Sequence, residues 1–281
     1  MKKNVLFFSP TFYDLPLNEN IKKKYDNLSE VANVTVLAFS SQKKIHTESE
    51  TTFYLNKKNK SRIFNYLKIF FVSYFQIPKL ISQYEIEIVT FQDPVTSFLG
   101  VYKIKKKYKD VKIVIESHGD FINTLELEKN LTFPNLYKNL FSRMASYTIN
   151  CADMLRAVSS STEEQALSFN PSKRVVRFPA WIDFEIFSNI DPMRDGSGKF
   201  KILFIGSVTD RKKPHMIIDA LPELISDQVE LNIVGPTPNQ NYLESLKEKI
   251  KSKNVEDRVF IHGNKNRDEV KKFYSENNLM I

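Results

Sequence analysis

The sequence predicts an α/β protein made of two successive Rossmann-like, doubly wound domains, with the C-terminal one incomplete. Three observations predict it. Short runs of apolar and β-branched residues recur along the chain with segments of helical length between most of them. One polar stretch, "SNIDPMRDGSGK" (188–199), holds two of the seven glycines and interrupts this alternation. Beyond it the same alternation begins again. Near-continuous apolar strands separated by helices are buried on both faces, which is the pattern of a parallel sheet covered by helices.

In the first domain (1–187) the strands are expected at 4–9, 34–39, 86–91, 111–117, 155–159 and 174–178. Residues 188–199 are expected to be the linker. In the second domain (200–281) strands are expected at 201–206, 229–235 and 258–263, with a last one in "NLMI". Helices follow from about Pro214, Asn241 and Asp268. Ile217, Ile218, Leu221, Leu224 and Ile225 form one apolar face of the first of these, and Pro214 suits the opening turn, where its missing N–H costs nothing. A βαβ unit takes about 30 residues or more, so residues 199–281 hold three βα units and one terminal strand. A six-stranded nucleotide-binding half needs two strands more.

Composition narrows the function. With 42% hydrophobic and 26% charged residues, the chain is neither disordered nor fibrous. "VLFF" is too short for the apolar core of an export signal, and there is no apolar run of about 18 residues to span a bilayer. A single cysteine, Cys151, fits a reducing compartment. These features lead to the expectation of a cytoplasmic protein. The net charge of +8 points to anionic partners without choosing among them. Nucleic acid is disfavoured, because the cations fall in separate blocks and no nucleic-acid-binding module is present. "KKNKSR" (57–62) and "KIKKKYKDVK" (103–112) read most simply as solvated faces.

The chemistry concentrates where an apolar strand runs into cations, in "ILFIGSVTDRKKPHMIIDAL" (202–221). In open α/β sheets ligands bind beyond the carboxyl ends of strands, against helix N-termini. Arg211 and Lys212 stand between such a strand end and such a helix start. An Arg grips two phosphate oxygens at once and a Lys supplies a mobile point charge, so a diphosphate fits there. The plain alternative is a solvated basic turn.

This stretch resembles the start of the donor-binding domain of GT-B glycosyltransferases, in particular the retaining family 4 group, with Lys212, Pro214, Ile217, Ile218 and Ala220 in register. "LRAVSSSTEEQALSF" (155–169), "RFPAWIDFEIF" (177–187) and "IVIESHGDF" (113–121) resemble further family elements in the correct order. The resemblance implies transfer of a sugar from a nucleoside diphosphate sugar to a hydroxyl acceptor, with retention and without a cofactor or bound metal. It implies donor-binding roles for Gly206, Ser207, Arg211, Lys212, Gly235, Gly263 and Asn264. It makes His118, Arg211 and Lys212 the catalytic set, with His118 hydrogen-bonding the donor sugar rather than shuttling a proton. His46, His215 and His262 are read as structural, and Asp183 as a hinge or cap.

There are departures. "SPTFYDLPLNE" lacks the usual Gly-rich turn, Ala180 and Trp181 replace Asn-Gly, and the sequence stops before the family's Glu-x7-Glu motif. Hence the expectation that these 281 residues alone bind a diphosphate weakly and transfer no sugar. Two rival readings remain: a non-catalytic sugar-nucleotide or partner-binding protein, and a GT-B-fold epimerase. Relatives of this kind in bacterial capsule or lipopolysaccharide assembly work on saccharide or lipid-linked acceptors. "KSRIFNYLKIFFVSYFQIPKLI" (60–81) mixes cations with aromatics at helical spacing, as a helix lying on an anionic membrane surface does. The alternative is an ordinary core helix.

Overall fold

The structure, a computed structural model, describes residues 1–59, 61–122, 134–182, 184–188, 190, 198–224 and 228–281. The chain divides into two compact units, Met1–Ile182 and Asp183–Ile281. This division falls ahead of the boundary read from the sequence. Phe187 lies with the second unit, its ring edge-on to Tyr274 at 5.3 Å between centroids. Asp183 and most of the linker (191–197) lie outside the described residues.

Unit 1 contains β1 (Lys3–Phe12), α1 (Glu19–Val31), β2 (Ala32–Ser40), β3 (Lys44–Glu48), β4 (Thr51–Lys57), α2 (Arg62–Tyr84), β5 (Ile88–Phe91), α3 (Phe98–Lys107), β6 (Lys112–Ser117), α4 (Pro134–Cys151), β7 (Met154–Ala157), α5 (Ser160–Phe169) and β8 (Val175–Arg177). Its sheet has the order β3-β4-β2-β1-β5-β6-β7-β8, parallel except where β3 pairs antiparallel with β4. All six strands expected from the sequence form. The β3–β4 hairpin was not expected: its alternating polar and apolar residues suit an edge hairpin rather than a strand buried on both faces. The inner strands carry the core, with Leu6, Val36, Leu37, Phe53, Val89 and Ile113 fully buried. Local signals set the helix starts. Asn18 accepts from the Ile21 N–H at 3.0 Å, and Ser159 with Thr162 forms a capping box. Caps of this kind contribute about 1 kcal/mol each.

Unit 2 opens with a single turn, α6 (Glu185–Ser188), and continues with β9 (Phe200–Ile205), α7 (Pro214–Ala220), β10 (Val229–Val234), α8 (Gln240–Ser252), β11 (Val259–Gly263), α9 (Arg267–Glu276) and β12 (Leu279–Met280). Its wholly parallel sheet has the order β11-β10-β9-β12. The core joins Phe204, Ile218, Leu221, Leu231, Ile233 and Leu246. The helix after Pro214 is shorter than its apolar spacing suggests. It gives way to a 3-10 turn over Leu221–Glu223: Leu221 still has α dihedrals (φ −56°, ψ −42°), but Pro222 has no N–H to donate to the Ile218 carbonyl, so the α-helical ladder stops there. Leu224, placed on the apolar face by its spacing, is exposed.

Candidate functional site

In a doubly wound sheet the strand order reverses at one point, and the crevice beyond the carboxyl ends of the strands there is where ligands bind. Unit 2 reverses at β9, between β10 and β12. Gly206 follows β9, Gly235 follows β10 and Gly263 ends β11, all three with positive φ (+153°, +146° and +69°). The Gly206 N–H donates to Val234 O at 2.9 Å, and the Gly235 N–H to Gly263 O at 2.8 Å, so the three strand ends are bonded side by side. A Cβ on Gly235 would stand 1.8 Å from the carbonyl oxygen of Gly206, which forbids any side chain there. Gly206 and Gly263 are half-buried with open space at the Cβ position, bare backbone that a phosphate can approach closely, while Gly235 between them is buried against the Gly206 carbonyl and packs the two strand ends together. Ser207 follows Gly206 beyond β9, and Asn264 is the next residue beyond β11.

Arg211 and Lys212 occupy an exposed 3-10 turn, Asp210–Lys212. Lys213 then takes the left-handed conformation (φ +52°) before Pro214 opens α7. As expected, the helix starts at Pro214, but α7 has only seven residues.

The other histidines have internal partners. His215 Nδ1 lies 2.8 Å from the Tyr242 hydroxyl. His262 Nε2 lies 2.7 Å from Asn232 Oδ1, and burial, with nearby Lys265, lowers its pKa. His46 Nε2 is 3.1 Å from Glu48.

Unit 1 reverses between β1 and β5. Here β1 continues through "SPTF" instead of turning, with a shift in its register against β2 between Phe8 and Phe12. Ser9 hydrogen-bonds Gln92 across the reversal, and its Oγ accepts from the Thr11 N–H at 3.0 Å. One strand further along, His118 follows the end of β6 beside a group the sequence reading missed. Glu116, only 6% exposed, receives His118 Nε2 at 2.6 Å and Arg156 Nη1 at 2.8 Å on the same oxygen, Oε2. Arg156 Nη2 donates to Pro179 O at 3.0 Å, and its guanidinium lies over the Phe178 ring at 4.0 Å. Burial alone would raise the Glu116 pKa, but the His118 hydrogen bond and the Arg156 charge outweigh it and hold the carboxyl below its ordinary range.

Two more groups feel this centre. Lys24, half-buried on α1, has its pKa lowered by burial against the attraction of Glu116. Asp93, after β5, has its pKa raised by burial although its carboxylate accepts from the N–H groups of Val95 and Thr96 at 2.8 and 2.6 Å. A signal for Glu116 and Arg156 was present in the sequence: each is a charge inside an otherwise apolar strand, and a charge buried there requires an opposite partner. Among the described residues no group of three or more His, Cys, Asp or Glu could hold a metal ion.

The comparisons fit this architecture. The family described as "Glycosyltransferase Family 4" matches residues 30–186, and the one described as "Glycosyl transferases group 1" matches residues 189–281. No curated protein matches the chain in sequence. Solved structures resemble it in fold at low identity. Sucrose-phosphate synthase from Thermosynechococcus elongatus superimposes with a TM-score of 0.73 at 13% identity, over 99% of this chain and 75% of its own. Anabaena Alr3699/HepE in complex with UDP gives 0.64 at 13%, over 99% and 73%. The lipopolysaccharide outer core galactosyltransferase WaaB gives 0.65 at 15%, also over 99% and 73%. With more than half of its length matched by the first family and most of the remainder by the second, the chain belongs to glycosyltransferase family 4 and has the GT-B fold, with a smaller C-terminal unit.

Proposed function

We propose that the protein transfers a sugar, with retention, from a nucleoside diphosphate sugar to a hydroxyl of a saccharide or lipid-linked saccharide acceptor in bacterial envelope polysaccharide or lipopolysaccharide assembly. The observation that carries this reading is the bare backbone at Gly206 and Gly263, with Arg211 and Lys212 on the loop that follows Gly206. As the sugar–phosphate bond breaks, negative charge grows on the departing diphosphate. Fixed cations and backbone N–H groups stabilise that charge more than the ground state, which raises the rate. Ser207 and Asn264 supply neutral hydrogen bonds beside it, and His118 contacts the donor sugar. In the alternative reading the chain binds a sugar nucleotide without turning it over.

Titration calorimetry with UDP and UDP-glucose, beside a transfer assay using radiolabelled donor and bacterial lipid extract as acceptor, tests the proposal. Two solved structures of similar fold are bound to UDP-glucose or to its 2-fluoro analogue, which makes it the first donor to test. Binding accompanied by label in the lipid fraction supports the proposal and overturns the expectation, drawn from the sequence, that these 281 residues alone transfer no sugar. Binding without transfer favours the non-catalytic alternative, and the absence of binding removes the donor site.

For the acceptor side, α2 gives specific support. Its inner face places Ile69, Val72, Ile77, Leu80 and Ile81 in the core. The outer face leaves Phe64, Leu67, Phe71 and Phe75 between 47% and 63% exposed, with the Phe71 and Phe75 rings stacked. These four recur at i, i+3, i+7 and i+11, one continuous apolar stripe, and Lys68 and Lys79 share that side. The helix is thus a core helix with a second apolar face. Beside it lies a cavity of about 470 Å³ lined by Lys43, Lys44 and Lys79 but by no carboxylate. Aromatics rimmed by cations suit an anionic lipid surface. No helix among the described residues is long and apolar enough to cross a membrane, so the attachment would be peripheral, at the cytoplasmic face.

Liposome co-sedimentation is expected to require anionic lipid and to weaken between about 0.1 and 1 M salt, where the screening length falls from about 10 to 3 Å. Burying one Phe is worth about 1.5–3 kcal/mol, so Phe71→Ser with Phe75→Ser should lower binding at least tenfold. Equal binding to neutral vesicles at every salt concentration would end this reading.

A further inference from the structure

We infer that Glu116, clamped by Arg156, is a positioning residue that fixes His118 as the Nε2–H tautomer and leaves Nδ1 as a hydrogen-bond acceptor for a sugar hydroxyl. A carboxylate can only accept, and Glu116 is nearly buried with a full positive charge 2.8 Å from its Oε2. The ring nitrogen 2.6 Å from that oxygen must therefore carry the proton. In a neutral imidazole the other nitrogen then holds a lone pair. Nδ1 has no partner among the described residues, and the side chain is 38% exposed, so the ring remains open to a ligand.

Arg156 gives the arrangement its rigidity. Its guanidinium is held by Pro179 O and the face of Phe178 as well as by Glu116, so the carboxylate cannot turn away from His118 without leaving a buried cation unpaired. The two charges and the ring come from two neighbouring strands: Glu116 pairs with Arg156 between β6 and β7, and His118 follows two residues later.

The consequence for specificity deepens the donor-sugar reading of His118 and rests on it. An acceptor nitrogen selects a group that donates. A sugar with a free hydroxyl at the contacting position satisfies it. A deoxy sugar leaves it unpaired. The donor is then a sugar with a free hydroxyl at the contacting position rather than one deoxygenated there.

The test is long-range proton–nitrogen NMR of the full chain labelled with ¹⁵N-histidine, measured near pH 8, with the His118 signals identified by their loss in His118→Asn. The expected pattern is one protonated Nε2 and one unprotonated Nδ1. An Nδ1–H tautomer, or an even mixture of the two, in the unsubstituted protein overturns the inference without need of any variant. In Glu116→Gln the side-chain amide can donate as well as accept, so the pattern is expected to shift to a mixture. Because that variant strands Arg156, Glu116→Gln combined with Arg156→Met repeats the measurement with no buried charge left over. An unchanged tautomer in both also overturns the inference. Should the Nε2–H form hold while His118→Ala turns over donor as fast as the unsubstituted protein, the tautomer assignment stands and the donor-sugar reading fails.

Discussion

In a version of the protein that turns over donor, replacing both Arg211 and Lys212 by alanine lowers turnover about 100-fold or more. Losing one preorganised donor at a developing anion costs about 10²–10³ in rate, and here two cations are removed from the loop after Gly206, where the leaving diphosphate is proposed to sit. The two are not equivalent. Arg can hold two oxygens in fixed geometry, while Lys acts as a point charge. Arg211→Lys should therefore retain part of the rate but not all of it. Both side chains are exposed in a short 3-10 turn outside the core, so the double variant should keep its thermal midpoint. Steady-state kinetics with varied donor, beside calorimetry with UDP, provides the check. Unchanged kinetics would make the basic turn ordinary surface.

Gly235→Ala has the larger effect on stability. The added methyl would stand 1.8 Å from the Gly206 carbonyl oxygen, which belongs to backbone and cannot move aside as a flexible side chain does. The residue also holds φ at +146°, a conformation rarely open to a side chain. Backbone strain of about 1–3 kcal/mol adds to overpacking of about 1–3 kcal/mol. The sum is a large part of the whole stability of a typical domain, about 5–15 kcal/mol. Unit 2 is expected to lose most of its cooperative unfolding transition, while amides of unit 1 keep their hydrogen-exchange protection. Gly206→Ala is the internal control. Its φ is equally unfavourable, but its Cβ would meet open space, so only the strain remains. Equal stability of the two alanine variants would show that the β9 and β10 ends are not in close contact.

The fold was largely legible because its signals are local. Runs such as "VLFF", "VTVLAF" and "ILFIG" are apolar throughout, as strands buried on both faces must be, and Pro214 marked a helix start. The β3–β4 hairpin was not legible, because its mixed residues match an edge position that exists only once β2 is there to pair with. The early end of α7 follows from Pro222, a local signal outweighed by the apolar spacing that continues past it.

The site divided in the same way. Sequence alone determined the order of elements, the glycines at the ends of β9 to β11, the basic turn at Arg211 and Lys212, and the position of His118 after a strand. These are properties of consecutive residues, and consecutive residues set strand ends and turns. Only the tertiary structure decided that Gly235 must be glycine, because the atom that forbids a side chain belongs to Gly206 on the neighbouring strand. Only it brought Arg156 to Glu116, 40 positions away, and so decided which nitrogen of His118 carries the proton. It also decided that α2 has an outer apolar face, since helical spacing places Phe71 and Phe75 on one side but cannot say whether a sheet covers that side. Pairing, contact and coverage depend on what the rest of the chain brings alongside, and burial turns that proximity into fixed charge and fixed geometry.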